Sequence, residues 1–598
     1  MAASLVLHAD VKVDGNDLTS DARRSLRSVR VEMSMWVASR CTLRLIDPAF
    51  ELTDLNTFAV GKALTVAVPS SATGSTTAVF VGEITDVSVE PGSSGRHELV
   101  VGALDKSHRL AVATNVKSFA NQTWAQIVQA IAGNAGLTPD VSITGSALPY
   151  VLQTVSDYAF LWDIALRTGC EWWVDDSKLH FKKRAATAGP TVTFNKDLLE
   201  FRVRYSGATR PNKVTVQGWD AGTQAAITGD DSGLLTSTTV PGIGATSTFA
   251  TGGRSSSNST WGKTALTGGF AVADATEAKA VADALAARVD AAEVVARGVT
   301  EINPTIKVGQ TVTVASMGTR VSGAYLVTTV EHIVAPDRVE TRFTAGNKAP
   351  VGLADLMGGA GAPAPRWGDL GLVVGKVTAV TGDPDSAGRV KVKFPSLSQS
   401  DTSTWARVVA PGAGATRGMF FGPEVNDEVL VGFEHGDARF PVVLGGLWSK
   451  VNKPPVATAA DPVVSRLIKS RLGHTIEISD GTSPDKKHIA MTLEDGSNKF
   501  RLGADKTDIE VASGKAFTIK AGSAKISIDA QGGVTIEGGA VTIKATQDLE
   551  LKGMNVKING SMGVEIKAGM ELKASGGTGA TIDGGAMATL KGGMVKIN

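Results

Sequence analysis

The sequence predicts a mainly β protein of several domains, and three observations carry that prediction. Gly is abundant at 67 of 598 residues while aromatics make up 5% and charged residues 20%, a turn-rich balance with enough apolar content to fold. Most patterned segments alternate apolar and polar residues, the two-residue period of a half-buried strand. From Phe517 onward that alternation becomes a repeat. A chain of 598 residues is too long for one core and calls for three or four domains.

Composition also excludes function classes. A net charge of +1 leaves no electrostatic footprint for nucleic acid or an acidic membrane. The two cysteines, Cys41 and Cys170, sit in unrelated contexts, so neither a disulfide framework nor a thiolate metal site follows. The segment Met1 to Asp10 lacks a basic region followed by a long apolar run. No apolar stretch approaches the roughly 18–20 residues of a membrane-spanning helix. The reading is synthesis in the cytoplasm without a signal peptide, with any export occurring as part of a larger assembly.

Val29–Met33, Cys41–Leu45, Leu64–Val68 and Val79–Ile84 read as strands. A helix is expected over Thr123–Ala132, with Trp124, Ile127, Val128 and Ile131 on one face and Asn121 or Thr123 as cap. A second runs from Ser156 to about Thr168, capped by Ser156 or Asp157. It carries Tyr158, Leu161, Trp162 and Ala165 on one side and stops at Gly169. Glu171–Val174 and Lys178–Phe181 should form a strand pair around Asp175-Asp176-Ser177. Strands resume over 191–345, with Val214–Val216 and Val312–Val314 the clearest. Ala221–Thr260 reads as a long loop region, low in complexity from Ser255 to Thr260. The Ala-rich run Ala275–Ala296 reads as a helix that packs on a sheet by close approach. A Gly/Ala/Pro linker at 346–366, centred on Gly358–Pro365, has the composition of a hinge.

After the linker the strands become dense. Gly371–Val377, Gly388–Phe394, Trp405–Val409, Glu428–Phe433 and Pro441–Gly445 are five short strands in about 80 residues, which suits a small closed barrel such as an OB-fold. A connector follows, then the repeat. Its second apolar positions, Ile519, Ile528, Ile536, Ile543, Leu551, Ile558 and Ile566, recur every seven to nine residues. Gly, Ala, Ser and Asn supply the corners. Such regularity means a stack rather than a globular core. One chain could coil on itself, or three could wind around a common axis; the spacing fits both. Ten or so layers at about 4.8 Å make a rod on the order of 50 Å long.

Two segments go beyond pattern. Gly388-Arg-Val-Lys-Val-Lys-Phe-Pro395, Trp405-Ala-Arg-Val, Gly418-Met-Phe-Phe, Asp427-Glu-Val-Leu-Val-Gly-Phe433, His435-Gly-Asp437 and Pro441-Val-Val-Leu-Gly445 resemble the OB domain of VgrG-type spike proteins of contractile injection systems, as found in type VI secretion, phage tails and extracellular relatives. So does Ser465-Arg-Leu through Gly473-His-Thr-Ile-Glu-Ile478. Upstream, Ser156-Asp-Tyr-Ala-Phe-Leu161 with Gly169, Gly309-Gln-Thr-Val, Gly323-Ala-Tyr-Leu-Val and His332 are similar to that family's tail-hub domain. Asn426 stands where many type VI members have Gly, and Trp448 where they often have Tyr. The short connector and modest needle look more like the particle-type systems and phages.

The resemblance implies two β-barrel-like tail-hub domains with a few helices over 1–345, forming a pseudo-hexameric base. It further implies an OB-fold domain at 367–450, a connector or neck at 451–504, and an intertwined triple-stranded β-helix needle at 505–598. The chain would be a homotrimer and a structural spike. It would link baseplate and inner tube to the puncturing tip, help breach a target envelope and deliver effector cargo, as part of a phage-tail-like particle. Expected partners are the inner tube protein, baseplate proteins and a PAAR-like tip protein. Nucleic acid and stable membrane insertion are not expected, nor is a cofactor.

Rival readings are a peptidoglycan-hydrolysing or effector-carrying spike enzyme, a nucleic-acid-binding OB barrel and a monomeric β-solenoid adhesin. Glu424 with Glu428, or Asp427 with Glu434, are carboxylate pairs to weigh for glycoside hydrolysis, but all lie on or beside strands of a packed barrel with no evident cleft. His97, His108, His180 and His435 lack metal-ligand spacing. Gly358–Pro365 lacks the strand-to-helix setting of a phosphate loop. Trp172-Trp173 reads as packing. Some family needles end in an iron-binding His-x-His point; here the last histidine is His488. Met594, Val595, Lys596, Ile597 and Asn598 are therefore expected to form a blunt face on which the tip protein docks.

Overall fold

Strand pairing dominates the architecture of the computed structural model, which describes residues 9–71, 75–92, 96–183, 187–205, 213–231, 264–267, 271–346, 371–398, 401–455 and 464–597. The linker core Gly358–Pro365, the low-complexity run Ser255–Thr260 and Asn598 lie outside them. The chain divides into two units, Met1–Lys453 and Pro454–Asn598.

In the first unit, β1 (Asp10–Val13), β2 (Asn16–Asp17), the short helix α1 (Ser20–Ser25), β3 (Leu26–Ser34), β4 (Val37–Ile46), β5 (Ala63–Pro69), β6 (Thr76–Pro91) and β7 (His97–Leu104) come first. An insertion follows: β8 (Lys117–Gln122), α2 (Trp124–Asn134), β9 (Thr138–Ser142), β10 (Leu148–Gln153), α3 (Asp157–Thr168), β11 (Cys170–Asp175) and β12 (Lys178–Lys183). Then come β13 (Thr187–Thr193), β14 (Leu198–Tyr205), a second insertion of β15 (Lys213–Asp220), β16 (Ala225–Asp230), β17 (Thr264–Thr267) and α4 (Ala275–Glu293), and finally β18 (Val294–Glu301), β19 (Gln310–Ala315), β20 (Gly323–Ala335) and β21 (Arg338–Ala345).

One topology occurs twice in this unit. The first half pairs its strands in the order β3-β4-β7-β6-β5, the second in the order β14-β18-β21-β20-β19. The bulges coincide as well. The register shifts between Ile84 and Asp86 on β6 and between Val327 and Thr329 on β20. It shifts again between Leu26 and Ser28 on β3 and between Leu198 and Glu200 on β14. At the first bulge, Thr85 Oγ1 donates to the Gly102 carbonyl at 3.5 Å, and its counterpart Thr328 Oγ1 donates to the Thr344 carbonyl at 3.2 Å. The halves join where β20 lies antiparallel to β3, from Thr329 opposite Ser34 to Val334 opposite Val29. Both contribute to one core, with Val29, Val31, Leu43, Val101, Val312, Val330 and Phe343 among its members.

The insertions build two smaller cores. Helix α2 is capped by Thr123, which exchanges side-chain and backbone hydrogen bonds with Gln126, and it buries Trp124, Ile127, Val128 and Ile131 as its period predicts. Helix α3 is capped by Ser156 and ends at Gly169 in the left-handed conformation. It differs from the one-sided helix the sequence suggests. Phe160, Leu161, Asp163, Ile164, Ala165, Leu166, Arg167 and Thr168 are all buried, because α4 and the OB barrel cover the side meant for solvent. Strands β11 and β12 form the expected pair, with Asp176 and Ser177 both at positive φ in the turn. Part of the expected loop after Ala221 is a hairpin, β15 with β16. Helix α4 packs on these two strands so closely that a Cβ on Gly229 would lie 2.2 Å from the Ala278 carbonyl carbon.

The barrel strands are β22 (Val373–Ala379), β23 (Lys391–Lys393), β24 (Arg407–Val408), β25 (Glu428–Phe433) and β26 (Pro441–Gly446), in the order β23-β22-β25-β26-β24. Bridges Val390–Ala406 and Lys393–Thr402 bring the two ends of that order together, so the sheet closes as an OB-fold should. Val377, Val392, Phe394, Val429, Val431 and Val443 fill it. Asn426 has φ 79°, the left-handed region that Gly or Asn tolerates best, which explains how Asn substitutes for the family's Gly.

In the second unit, β27 (Ser465–Lys469), β28 (Thr475–Asp480), β29 (Lys487–Thr492), β30 (Lys499–Gly503) and β31 (Thr507–Glu510) form an antiparallel meander that runs past the expected neck boundary at 504. A second meander joins β32 (Phe517–Ala521), β33 (Ala524–Ile528) and β34 (Val534–Glu537). Among the described residues, the repeat units from Val541 onward do not pair with one another as strands within the chain, contrary to a reading in which each is a strand of a self-contained stack.

Candidate functional site

Two features stand out from ordinary packing: a buried charge cluster that fixes the barrel to the base, and an apolar comb along the repeat.

The cluster starts with a motif residue, Asp437, in the turn between β25 and β26. Its Oδ2 accepts from Arg167 Nη2 of α3 at 2.9 Å and from Arg439 Nη2 at 2.9 Å. Glu277 Oε1, in the first turn of α4, accepts from the same two guanidiniums at 3.1 and 2.9 Å. Both arginines also donate to the Ala271 carbonyl at 3.2 Å. Asp163, one turn before Arg167, accepts from its Nε at 3.3 Å, and its other oxygen has no hydrogen-bond partner. The Arg439 guanidinium also lies over the rings of Trp124 and Phe440, at 5.8 and 5.2 Å from their centroids. Beside the cluster, Ala438 packs with Tyr150 and Leu152 of β10.

Three carboxyls thus share two guanidiniums in a buried setting. Burial raises Asp163 to about 7, and the single long contact to Arg167 does not offset it. Burial also works against ionised Glu277 and Asp437, but there Arg439 and Arg167 more than compensate, and both stay below the ordinary carboxylate range. The barrel is therefore held to the base by a polar joint whatever the hinge-like composition of the linker. Of this joint the sequence reading picked out only Asp437. The signal for the rest was Asp163 and Arg167, four apart in a helix otherwise rich in apolar residues.

The comb lies in the second unit. Val541, Ile543, Leu549, Leu551, Val556, Ile558, Val564 and Ile566 are all more than half exposed, as are Met594, Val595 and Ile597 at the proposed docking end. Met554, Met562 and Met570 recur every eight residues, and each is wholly exposed. A row of this length is an unburied strand face, not scattered surface apolarity.

The other residues weighed from sequence have structural roles. Asp427 accepts the Glu424 amide at 2.8 Å in the turn before β25; Glu428 lies half-buried on β25 and Glu434 in the turn after it. His97 packs against Phe50 with its ring tilted by 38°, His108 caps its own turn through the Asp105 carbonyl, and His435 is exposed at φ 51°. His180 Nδ1 meets Asp140 at 2.7 Å while its ring stacks on Trp173; burial lowers its pKa. Trp172 is wholly buried in the insertion's core, and Trp173 packs against the main one. Cys41 and Cys170 are both buried and free, and burial pushes both thiols up. Among the described residues no group of three or more His, Cys, Asp or Glu could hold a metal ion, and no helix is long and apolar enough to cross a membrane.

Comparison with known proteins places matches in the base and the barrel. Residues 373–448 match the family model of the type VI secretion system/phage-baseplate injector OB domain. Residues 3–336, more than half of the chain, match the Alg8 N-terminal domain model. The chain is 29% identical over 153 residues to the type VI secretion system spike protein VgrG2a of Pseudomonas aeruginosa, covering 24% of this chain and 18% of that one. It is 41% identical over 98 residues to VgrG5 of the same organism, covering 15% and 12%. The matched part is thus less than a fifth of either relative. Among solved structures, a chain of the Francisella PdpA–VgrG complex aligns with a TM-score of 0.49 at 8% identity, covering 88% of this chain and 87% of that one.

Proposed function

The chain belongs to the Alg8 N-terminal domain family and, with its injector OB domain, is a VgrG-type spike protein of contractile injection machinery; from this premise we propose that it works as a homotrimeric spike. In this reading it links baseplate and inner tube to the puncturing tip, helps breach a target envelope and carries effector cargo. The role is mechanical rather than catalytic.

The observation that carries the reading is the comb. Ladder pairing within the chain ends at Glu537, yet apolar and polar residues keep alternating to Ile597 with the apolar face exposed. Burying that face at about 25 cal/mol per Å² needs other strands, and two further copies winding around a common axis supply them in register. The unpaired backbone groups would then bond between chains, so no single chain could unravel without breaking the ladders of its neighbours.

Native mass measurement tests this. A species of three times 61.8 kDa is expected, and a monomer at working concentration overturns it. The far end of the comb, Met594, Val595, Lys596, Ile597 and Asn598, is proposed as the docking face for a small PAAR-like tip protein. Deleting these five residues should abolish retention of that protein in a pull-down while leaving the trimer intact; unchanged retention refutes the docking face.

A further inference from the structure

The turn between β25 and β26 has two sides, and the charged joint uses only one. Asp437, Ala438 and Arg439 are buried in it. On the other side Glu434, His435 and Phe440 meet Gln217 and Trp219 of β15 and the segment Ala271-Val272. These residues line a cleft of about 270 Å³, close to the lower end of the roughly 300–1,000 Å³ usual for small-molecule sites.

The cleft is held open because its walls are tied to the same cluster. In the turn, the Glu434 amide donates to the Phe440 carbonyl, the Asp437 amide to the Glu434 carbonyl and the Phe440 amide to the Asp437 carbonyl, each at 3.0 Å. The ion pairs of Asp437 and Arg439 fix this turn to α3 and α4. Opposite, the Ala271 carbonyl accepts from Arg167 and Arg439. Val272 then lies against β15 at Gly218, where a Cβ would collide with its Cγ2. Walls fixed before a ligand arrives cost little to order when it binds.

The side chains in these walls are uncommitted. Among the described residues, those of Gln217, Trp219, Glu434 and His435 have no hydrogen-bond partner. Trp219 is 49% exposed and Phe440 half-buried. Aromatic rings beside a carboxylate, an amide and an imidazole suit a ligand ring that is apolar on its faces and hydroxylated at its edge. The C–H bonds of a pyranose carry slight positive charge and rest well on the negative face of an indole. Its hydroxyls can donate to Glu434 and exchange hydrogen bonds with Gln217 and His435. Ionic ligands fit less well. The Glu434 carboxylate repels an anion, and the Arg439 guanidinium, 5.2 Å from the Phe440 centroid, disfavours a second cation there. Glu434 is also the one carboxylate among the described lining residues, so the cleft lacks the pair that glycoside hydrolysis needs.

We propose that this cleft binds the neutral pyranose ring of a saccharide, stacked on Trp219 and held at its hydroxyls by Glu434, Gln217 and His435. The volume admits a single ring, which a free sugar and the end of a glycan chain both present. The proposal concerns one chain and does not rest on the number of copies in the spike.

Saturation-transfer NMR on the full chain tests it. The probes are D-glucose, D-galactose, D-mannose and N-acetyl-D-glucosamine, each as the free sugar and as its methyl glycoside. At least one should take up saturation at its ring C–H protons. Trp219→Ala should weaken that binding about tenfold, whereas Trp219→Phe, which keeps an aromatic face, should retain most of it. Glu434→Gln should also weaken it, with an unchanged melting temperature. Trp448→Ala removes a 68% exposed indole elsewhere on the barrel and should change nothing. Binding of a methyl glycoside assigns the end of a glycan chain; binding of the free form alone assigns a free sugar. Binding that survives Trp219→Ala, transfer to tetramethylammonium chloride but to no sugar, or no transfer to any probe overturns the proposal.

Discussion

At the scale of single residues, the decisive group is Asp163. It is the third carboxyl in a cluster with two guanidiniums, and burial holds its pKa at about 7. A carboxyl raised above its unfolded value of 3.8 means that the folded chain binds the extra proton. Its contribution is full below that unfolded value and is lost as pH rises through about 7. Asp437 and Glu277 act in the opposite sense: their pKa values are lowered, so their contributions are present above the unfolded values and fade as pH falls. The joint should be firmest between those limits, at mildly acidic pH. Thermal melting of the wild type should therefore soften as pH rises from about 5 to about 7, and Asp163→Asn, which imitates the protonated form, should flatten that fall. An unchanged slope in the variant would show that the proton sits elsewhere. This cluster was scarcely legible beforehand. Arg167 and Arg439 are far apart in sequence, and a charge read one residue at a time looks like solvated surface until the fold brings its partners to it.

Secondary-structure elements were far more legible, because their signals are local. Thr123 with Gln126 and Ser156 with Gly169 mark helix ends through caps that need only a few neighbouring residues. The five barrel strands were found from alternation alone, although β23 and β24 proved shorter than their apolar runs. What alternation could not reveal is that two insertions divide one repeated topology. Gly229 shows how tightly an element can depend on one atom. A methyl group there would collide with the backbone of α4 at Ala278 and Lys279. Gly229→Ala should thus cost about 1–3 kcal/mol, as overpacking does, read as a lowered melting temperature with the strand content kept. A neutral result would mean that α4 can lift from β16 without penalty.

For the whole molecule, the C-terminal repeat was legible as a repeat but not as a structure, because among the described residues no strand partner within the chain is found for its units from Val541 onward. Base and barrel can acquire their cores from one chain, as the buried clusters show. The comb has no such source of burial.

The ladder that stops at Glu537 has a genetic consequence. If three chains must contribute every layer beyond it, a chain ending at Glu537 keeps the base and barrel needed to join a spike but cannot complete a needle. Such a chain is dominant-negative. Co-expressed in equal amount with the full chain, it should leave only about one spike in eight wholly full-length, since three chains are drawn independently. Native mass sorting of the mixed spikes would read that fraction directly; a fall to only one half would mean that chains do not mix within one spike, which refutes the homotrimer.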